Sequence, residues 1–358
     1  MYYNNETKEN CMKKMKNWRP SASLLAGAAV LGLLVLLVPI VRIMRDAVPF
    51  SDDYGYGYFA KLGYLMGKNL PGVLMGVWEN VKHTWWTWQG TYSSIFLMSL
   101  VPLVWGEQYY FWGLLFILLL LIGGVFALVK ALVVDVLQGG WQQCLYIQAV
   151  TAALVVELMY YPAEGLFWYN GGIHYVGMHG FAMLLLASLI CLSEGKKGRI
   201  RKGLLIAASM ILSLIVAGSN YVTALQTFLV FLTIMVAGAL LHRNIKGLLR
   251  LVPAFFVYSI GFYKNLVAPG NTARAEALGN PGMAPLQAIL FSFKEAFSHM
   301  WEYTGWMTIV VMLVLLPMIL QLVSTTKFRF RLPWLLPVWS VCLYATGFTS
   351  SLYSLGHG

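Results

Sequence analysis

The chain has 358 residues, of which 59% are hydrophobic and only 11% are charged, and its mean hydropathy is +0.68. Soluble domains carry about 25% charged residues, so this composition excludes a cytosolic enzyme, a secreted disulfide scaffold and a nucleic-acid-binding domain. The net charge of +11 must therefore be explained within a membrane protein.

The apolar residues are gathered into runs that are long enough to cross a membrane. A hydrocarbon core of about 30 Å needs about 20 apolar residues in helical form, and helices satisfy their own backbone hydrogen bonds there. The sequence thus predicts an all-α polytopic membrane protein with about nine transmembrane helices. The predicted spans are 21–41, 110–132, 141–160, 175–192, 203–218, 222–241, 251–267, 304–323 and 332–349.

The basic residues predict how these spans are oriented. Alternating the spans from a cytoplasmic N-terminus places most of the 25 Lys and Arg residues in short cytoplasmic segments, as the positive-inside rule requires. We therefore expect a multi-pass protein of the cell membrane with a cytoplasmic tail at 1–20. On this interpretation the charge of +11 mainly reports topology.

The loops predict that polar chemistry takes place at the outer face of a single transmembrane domain, 1–358. The cytoplasmic loops are short and hold no glycine-rich phosphate loop, so they offer no place for a reaction that consumes a nucleotide. The outer connections 42–108, 161–174 and 268–303 contain nine of the 14 acidic residues and three of the six histidines.

The first outer connection has a helical pattern of its own. Between Leu70 and Trp88, apolar residues recur at helical spacing, and polar residues such as Glu79 and Asn80 fall on the other face. A tryptophan-rich amphipathic helix of this kind suits the headgroup layer. A shorter helix is predicted near 58–65. The apolar segment 92–105 is too short to span, which predicts a re-entrant or protein-buried piece.

Two acidic residues, Asp52 and Asp53, stand at the start of this connection in the string Ser51-Asp52-Asp53-Tyr54. One interpretation is that a carboxylate acts as a general base and deprotonates an acceptor hydroxyl. The other is that Ser51 or Asp52 is the N-cap of a helix beginning at Tyr54. The residues by themselves favour the cap.

The connection 161–174 contains residue types that suit a sugar. Aromatic rings stack on the apolar face of a sugar, while amides and imidazoles bond to its hydroxyls. An interfacial aromatic belt with a turn at Asn170 and Gly171 explains the same residues equally well. The spacing of the histidines matches no metal motif, so no metal site is predicted. The candidate residues here are Glu164, Trp168, Tyr169, Asn170 and His174.

Another candidate lies at the start of the last outer connection. Pro269, Gly270 and Asn271 predict a turn, and Arg274 follows three residues later. A guanidinium fork matches phosphate oxygens, so Arg274 is a candidate ligand for a phosphate at the outer leaflet.

Several strings resemble a bacterial multi-pass membrane family that is known as a domain of unknown function. The family is itself similar to polyprenyl-phosphate-dependent glycosyltransferases of the GT-C type. The resemblance covers most of the chain, from residue 51 to residue 274. The strings are SDDY at 51–54, WQGTY at 88–92, GLFWYNGGIHY at 165–175, GSNYVTAL at 218–225 and APGNTAR at 268–274.

This resemblance implies a GT-C-like fold and an inverting transfer at the outer face. A sugar would pass from a polyprenyl-phosphate-linked donor to a glycan or other envelope acceptor. GT-C enzymes use an acidic residue of the first outer loop, onto which the two aspartates map. Asp52 would be the base, and Asp53 would orient the acceptor or a divalent metal ion, with no other cofactor implied.

The matching strings add Tyr54, Trp88 and Asn271 to the residues expected to bind substrate, with membrane lipids as further partners. Related sequences continue with further helices beyond a motif like 353–358, so the chain is expected to be a fragment.

Two other functions remain open at this point. A transporter or flippase for a lipid-linked or small solute would show internal repeats and paired intramembrane charges, and the sequence has no visible repeat. A non-catalytic membrane scaffold would use the outer loops to bind a partner.

Overall fold

The computed structural model describes residues 21–194, 198–240, 245–279, 282–326, 328 and 333–355. Every regular element in these ranges is a helix, and no strand occurs among them. The all-α polytopic class predicted from the composition is thereby confirmed. The predictions for the tail 1–20, for parts of the basic loops and for the end of the 353–358 motif lie outside the described residues.

Eight helical stretches of the described chain are long and apolar enough to cross a membrane. The expected count of nine is not confirmed, because the predicted span 141–160 forms a helix of 17 residues that is shorter than all eight. The eight stretches are Ala22–Asp46, Glu107–Val136, Tyr169–Glu194, Ile200–Ala217, Tyr221–Leu240, Ile245–Ala277, Thr308–Thr325 and Leu335–Tyr353.

The first half of the chain forms a long apolar helix, a helical hairpin, a short helix and two further long helices. In order these are α1 (Ala22–Asp46), α2 (Asp52–Gly67), α3 (Leu70–Thr87), α4 (Tyr92–Ser99), α5 (Tyr110–Lys130) and α6 (Trp141–Glu157). The π-helix Ala131–Val136 extends α5. Short 3₁₀ turns lie between α4 and α5, where Val101 and Val104 are fully buried. The segment 92–105 is therefore a protein-buried piece, as expected.

The hairpin of α2 and α3 is closed by a two-residue link. Lys68 adopts the left-handed conformation at φ 48°, which ends α2, and the Asn69 side chain accepts a hydrogen bond from the Gly72 N–H at 2.8 Å, which begins α3. Glycines in the hairpin allow the backbones of α2 and α3 to come into close contact. A Cβ placed on Gly76 would lie 2.1 Å from the carbonyl oxygen of Phe59.

The hairpin confirms the two predicted helices but corrects the face that α3 buries. Val73, Val77 and Asn80 are buried, whereas Leu70 and Trp78 are more than half exposed. Asn80 was expected on the polar side. It lies inside instead because its amide donates to the Tyr56 carbonyl at 3.1 Å and to the Ser99 hydroxyl at 2.7 Å.

The second half of the chain is also helical almost throughout. It comprises α7 (Pro162–Leu166), the helical turn Tyr169–Gly171, the π-helix Gly172–Gly177, α8 (Met178–Glu194), α9 (Arg199–Ala217), α10 (Tyr221–Leu240), α11 (Ile245–Leu266), α12 (Pro269–Ala277), α13 (Pro285–Thr325) and α14 (Leu335–Leu355). The long helix α13 bends at Gly305, whose φ is 56°.

Two predicted outer connections are largely helical. Residues 161–174 form α7 and the start of the stretch Tyr169–Glu194, and the turn considered at Asn170 is not formed. The described residues of 268–303 form α12 and the first part of α13. Pro269, Gly270 and Asn271 open α12 instead of turning the chain, because proline fits the first turn of a helix, where its missing N–H is not needed.

The described helices bury two main apolar cores. One core joins α1 to α6, with Leu114, Ile117 and Leu121 of α5 at its centre. The other joins α8 to α11 around Phe231 and Tyr258. The helix α3 contacts α12, and α4 contacts both α9 and the π-helix Gly172–Gly177, so the two halves of the chain adjoin where the candidate residues are found.

Candidate functional site

A buried carboxylate joins three segments of the chain. Asp53 is fully buried, and its Oδ2 accepts hydrogen bonds from the Tyr110 hydroxyl at 2.6 Å and from the Phe50 N–H at 3.0 Å. Its Oδ1 accepts from the Asn170 N–H at 3.1 Å. The Tyr110 hydroxyl in turn accepts from the Tyr169 N–H at 2.9 Å. Asp53 therefore fixes the start of α2 against α5 and against the segment that contains Asn170.

The environment of Asp53 decides its chemistry. Burial raises the pKa of Asp53 above its ordinary 3.8, although the hydrogen bonds from Tyr110, Phe50 and Asn170 lower it. Three of the roughly four acceptor positions of the carboxylate are already used by N–H and O–H donors. Because these acceptor positions are used, Asp53 does not suit the divalent metal ion that the resemblance implies. Among the described residues, no three His, Cys, Asp or Glu side chains form a group that could hold one.

Asp52 differs from its neighbour because its side chain is exposed. It is the first residue of α2, and the preceding Ser51 has φ 45°, which is uncommon outside glycine. Ser51 makes no side-chain capping bond, and the helix begins two residues before Tyr54. Ser51 thus occupies the N-cap position without a side-chain bond, Asp52 is the first helical residue rather than the cap, and the Asp52 carboxylate is accessible to a substrate.

Two of the aromatic candidates are tied to the protein itself. The Trp168 indole N–H donates to the Phe50 carbonyl at 3.2 Å, next to the acidic pair. The Tyr169 hydroxyl donates to the Leu97 carbonyl at 3.0 Å, and its ring is buried. Tyr169 thus packs inside the protein and supports the site, and its buried ring is not available to stack on a sugar.

Two other candidates, Tyr54 and Glu164, lie outside the hydrogen-bonded network of Asp53. Tyr54 is about half exposed and its hydroxyl donates to Glu107 at 3.4 Å, so it turns away from the Asn170 segment. Glu164 is exposed on α7, and its charge acts on the Tyr175 hydroxyl. The structure does not bring either residue into the hydrogen-bonded network of Asp53.

A second network fixes α12 against the end of α3. The Asn271 side chain accepts hydrogen bonds from the Gly90 N–H at 2.9 Å and from the Tyr221 hydroxyl. Its amide donates to the carbonyls of Asn265 and Leu266, each at 3.0 Å. Both lone-pair directions and both N–H groups of Asn271 are thus used within the protein, which makes Asn271 a residue that holds α12 in place.

Arg274, one turn further along α12, is a cation without an anionic partner among the described residues. Its guanidinium lies 5.3 Å from the centre of the Trp88 ring and donates to Gln89 Oε1 at 3.0 Å. No carboxylate of the described residues forms an ion pair with it, and its Nε is buried without a hydrogen-bond partner. Trp88 and Gln89 thus orient a positive charge that remains available to an anion.

Tyr56 is affected by the charges of both Asp52 and Arg274, and the sequence did not single it out. Burial raises its pKa to about 12, with the charge of Asp52 raising it and the charge of Arg274 lowering it. The charges of Asp52 and Arg274 therefore act on one hydroxyl. A sequence signal exists, because Tyr56 follows Asp52 by four residues and shares its helix face.

The charge of Arg274 acts on the ring of His174. The His174 carbonyl accepts a hydrogen bond from the Asn220 amide at 2.6 Å, so the strings at 165–175 and 218–225 come together. Its ring Nδ1 is buried without a hydrogen-bond partner.

An apolar cavity of about 820 Å³ opens beside α12. Residues of α10, α11, α12, α13 and α14 line it, and Arg274 is the one charged residue among the described lining residues. Tyr221, Asn271 and Thr272 add polar groups near Arg274. Cavities of about 300–1,000 Å³ with apolar walls and a few polar groups are typical ligand sites.

Comparisons with protein-family models, with curated proteins and with solved structures find no match. The function must therefore be inferred from the site itself.

Proposed function

We propose that this chain is a membrane glycosyltransferase of the cell membrane that moves a sugar from a polyprenyl-phosphate donor to a cell-envelope glycan on the outer face. The observation that carries the proposal is that the charges of an exposed carboxylate, Asp52, and of a guanidinium without a described anionic partner, Arg274, both act on Tyr56, while Arg274 also lines an apolar cavity. The resemblance of the strings that contain these residues to GT-C-like proteins supports it.

The cavity supports a donor that is a lipid with an anionic headgroup. Its walls match an isoprenoid chain, because apolar side chains lose nothing when they cover apolar carbon. Arg274 lines the cavity and offers a fork of N–H donors to phosphate oxygens. A soluble nucleotide sugar would leave most of the cavity wall without a partner.

The two charged residues suit the two ends of an inverting transfer. Asp52 takes the proton of the acceptor hydroxyl as its oxygen bonds to the anomeric carbon. The bond between that carbon and the phosphate oxygen breaks, and its electron pair leaves with the polyprenyl phosphate. Arg274 stabilises the negative charge of the departing phosphate. Attack from the face opposite the phosphate inverts the anomeric centre.

Asp53 takes a different part in this proposal. It accepts three hydrogen bonds and has no exposed surface, so it does not touch the acceptor. It is a positioning residue that holds the Asn170 segment and the start of α2, where Asp52 stands.

The test is the variant Asp52→Asn, assayed in proteoliposomes with a panel of undecaprenyl-phosphate monosaccharides and an envelope glycan fraction as acceptor. Release of undecaprenyl phosphate measures donor consumption. We expect at least about 100-fold slower release, since a general base contributes about that much or more. The fold should be unchanged, because Asp52 is exposed.

Asp46→Asn is the matched control, because Asp46 is an exposed aspartate at the end of α1 with no part in either network. It should release undecaprenyl phosphate at the wild-type rate. Full activity in Asp52→Asn would refute the mechanism. Movement of the donor across the bilayer by the wild-type protein, with no sugar transfer, would instead indicate a flippase.

A further inference from the structure

We infer that Asn170 and His174 form a buried subsite that recognises hydroxyl groups of the transferred sugar, an inference that rests on the proposed function. Asn170 is fully buried, yet neither its side-chain oxygen nor its side-chain nitrogen has a hydrogen-bond partner. The ring Nδ1 of His174 is likewise buried and has no hydrogen-bond partner. More than nine in ten buried polar groups in proteins are paired, so three unpaired atoms on one short segment need an explanation.

The position of these atoms connects them with the proposed reaction. The backbone N–H of Asn170 bonds to Asp53, whose neighbour in the chain is Asp52. The ring of His174 is within range of the charge of Arg274. Asn170 and His174 are four residues apart on a continuous helical segment, so their side chains share a side of it. The backbone bond thus joins the subsite to the start of α2, where Asp52 stands, and the charge of Arg274 acts on its histidine.

The local backbone is also unusual at this point. His174 lies within the π-helix Gly172–Gly177, and π-helical turns are rare and concentrate at functional sites. The short helix α4 packs against this π-helix, and Ser94 of α4 and its N-cap residue Thr91 have two more buried hydroxyls without partners. Five of the eight buried unpaired atoms among the described residues thus belong to this segment or to the start of α4, which argues against an isolated defect.

The chemistry of the unpaired atoms selects the ligand class. An amide offers both donors and an acceptor, and an imidazole Nδ1 is a donor or an acceptor according to its tautomer. A sugar hydroxyl also donates and accepts, so neighbouring hydroxyls can satisfy all three atoms. A phosphate only accepts and would leave the Asn170 oxygen unpaired, while an isoprenoid chain would leave every atom unpaired.

The first test compares the thermal stability of ligand-free variants. Asn170→Leu removes two unpaired polar atoms at nearly constant volume, so we expect Tm to rise by about 2–4 °C. The matched control is Asn80→Leu, because Asn80 is as deeply buried but fully hydrogen-bonded. That control should lower Tm. A fall of Tm in Asn170→Leu like that in Asn80→Leu would show that Asn170 is satisfied within the fold, for example by buried water, and would overturn the subsite.

The second test separates the sugar from the lipid. Binding of undecaprenyl phosphate and of undecaprenyl-phosphate hexoses is measured for the wild type, for Asn170→Leu and for Asn170→Ala, which serves if the leucine variant does not fold. We expect the sugar-bearing lipids to lose affinity about tenfold or more in the variants, and the sugar-free lipid to bind unchanged. Equal losses for both lipids would overturn the subsite alone. Failure of the wild-type protein to bind either lipid would overturn the proposed function, and the subsite with it.

Discussion

At the scale of single residues, neighbours in the sequence have opposite environments. Asp52 is exposed, whereas Asp53 is fully buried under three hydrogen-bond donors. Successive helical residues point about 100° apart, so one faces the solvent while the other faces α5. The sequence predicts an acidic pair, but it cannot say which member is buried, because the donors come from residues as distant as Tyr110 and Asn170.

The burial of Asp53 predicts a pH dependence of stability. Because burial raises its pKa, the folded protein binds the Asp53 proton more tightly than the unfolded chain does. The contribution of Asp53 is therefore fully present below its ordinary pKa of 3.8 and is lost as the pH rises through the raised value. The free energy of unfolding, measured by denaturant titration in detergent, should fall across this window.

The variant Asp53→Asn should lack this component and should unfold about 1–3 kcal/mol more easily near the acidic end, because its amide turns a donor towards the Asn170 N–H. Asp52→Asn should keep the pH dependence, since Asp52 is exposed. An identical pH profile for the wild type and Asp53→Asn would show that Asp53 does not titrate in this way.

At the scale of elements, close contact between helices positions the site. In α3, Gly72 and Gly76 are four residues apart, the spacing that lets helix backbones approach. Gly76 lies against Phe59 and Ala60 of α2, only a few residues after the aspartates. The amphipathic pattern predicted α3, but the partner of its glycine face became clear only when α2 was placed beside it.

Two glycine substitutions should therefore have opposite effects on stability. A Cβ on Gly76 would lie 2.1 Å from a backbone oxygen that cannot move aside, so Gly76→Ala should destabilise by about 1–3 kcal/mol. A Cβ on Gly55 of α2 meets nothing within 4 Å, so Gly55→Ala should stabilise by about 0.5–1 kcal/mol. Unfolding in denaturant measures both. A neutral Gly76→Ala would show that the hairpin is not tightly packed.

At the scale of the whole molecule, α12 joins the two halves of the chain. This helix places Arg274 in the wall of the cavity, and Asn271 fixes the helix to residues of α10, α11 and the link after α3. The guanidinium of Arg274 and the apolar cavity are thus positioned together by segments that are far apart in the chain.

The cavity itself can be tested by filling it. Ala345 of α14 is buried in its wall, whereas Val338 of the same helix is about half exposed and lies outside it. Ala345→Phe should reduce binding of undecaprenyl phosphate about tenfold or more, and Val338→Phe should leave it unchanged. Arg274→Gln should weaken binding by a similar factor, because it removes a charged hydrogen-bonding partner of the phosphate. Unchanged affinity in both Ala345→Phe and Arg274→Gln would place the lipid elsewhere.

The sequence by itself determined the membrane class, the helical content and most of the helix positions, because hydrophobic length and periodicity are local properties of the chain. It also indicated the strings at 51–54, 165–175 and 268–274 as candidates. It was wrong about the turns at Asn170 and at 269–271, where tertiary packing continues the helices. Only the tertiary structure decided that Asp53 is buried, that Tyr56 lies under the influence of both Asp52 and Arg274, and that a cavity adjoins Arg274. These features depend on contacts between residues more than a hundred positions apart, and a local pattern does not contain such contacts.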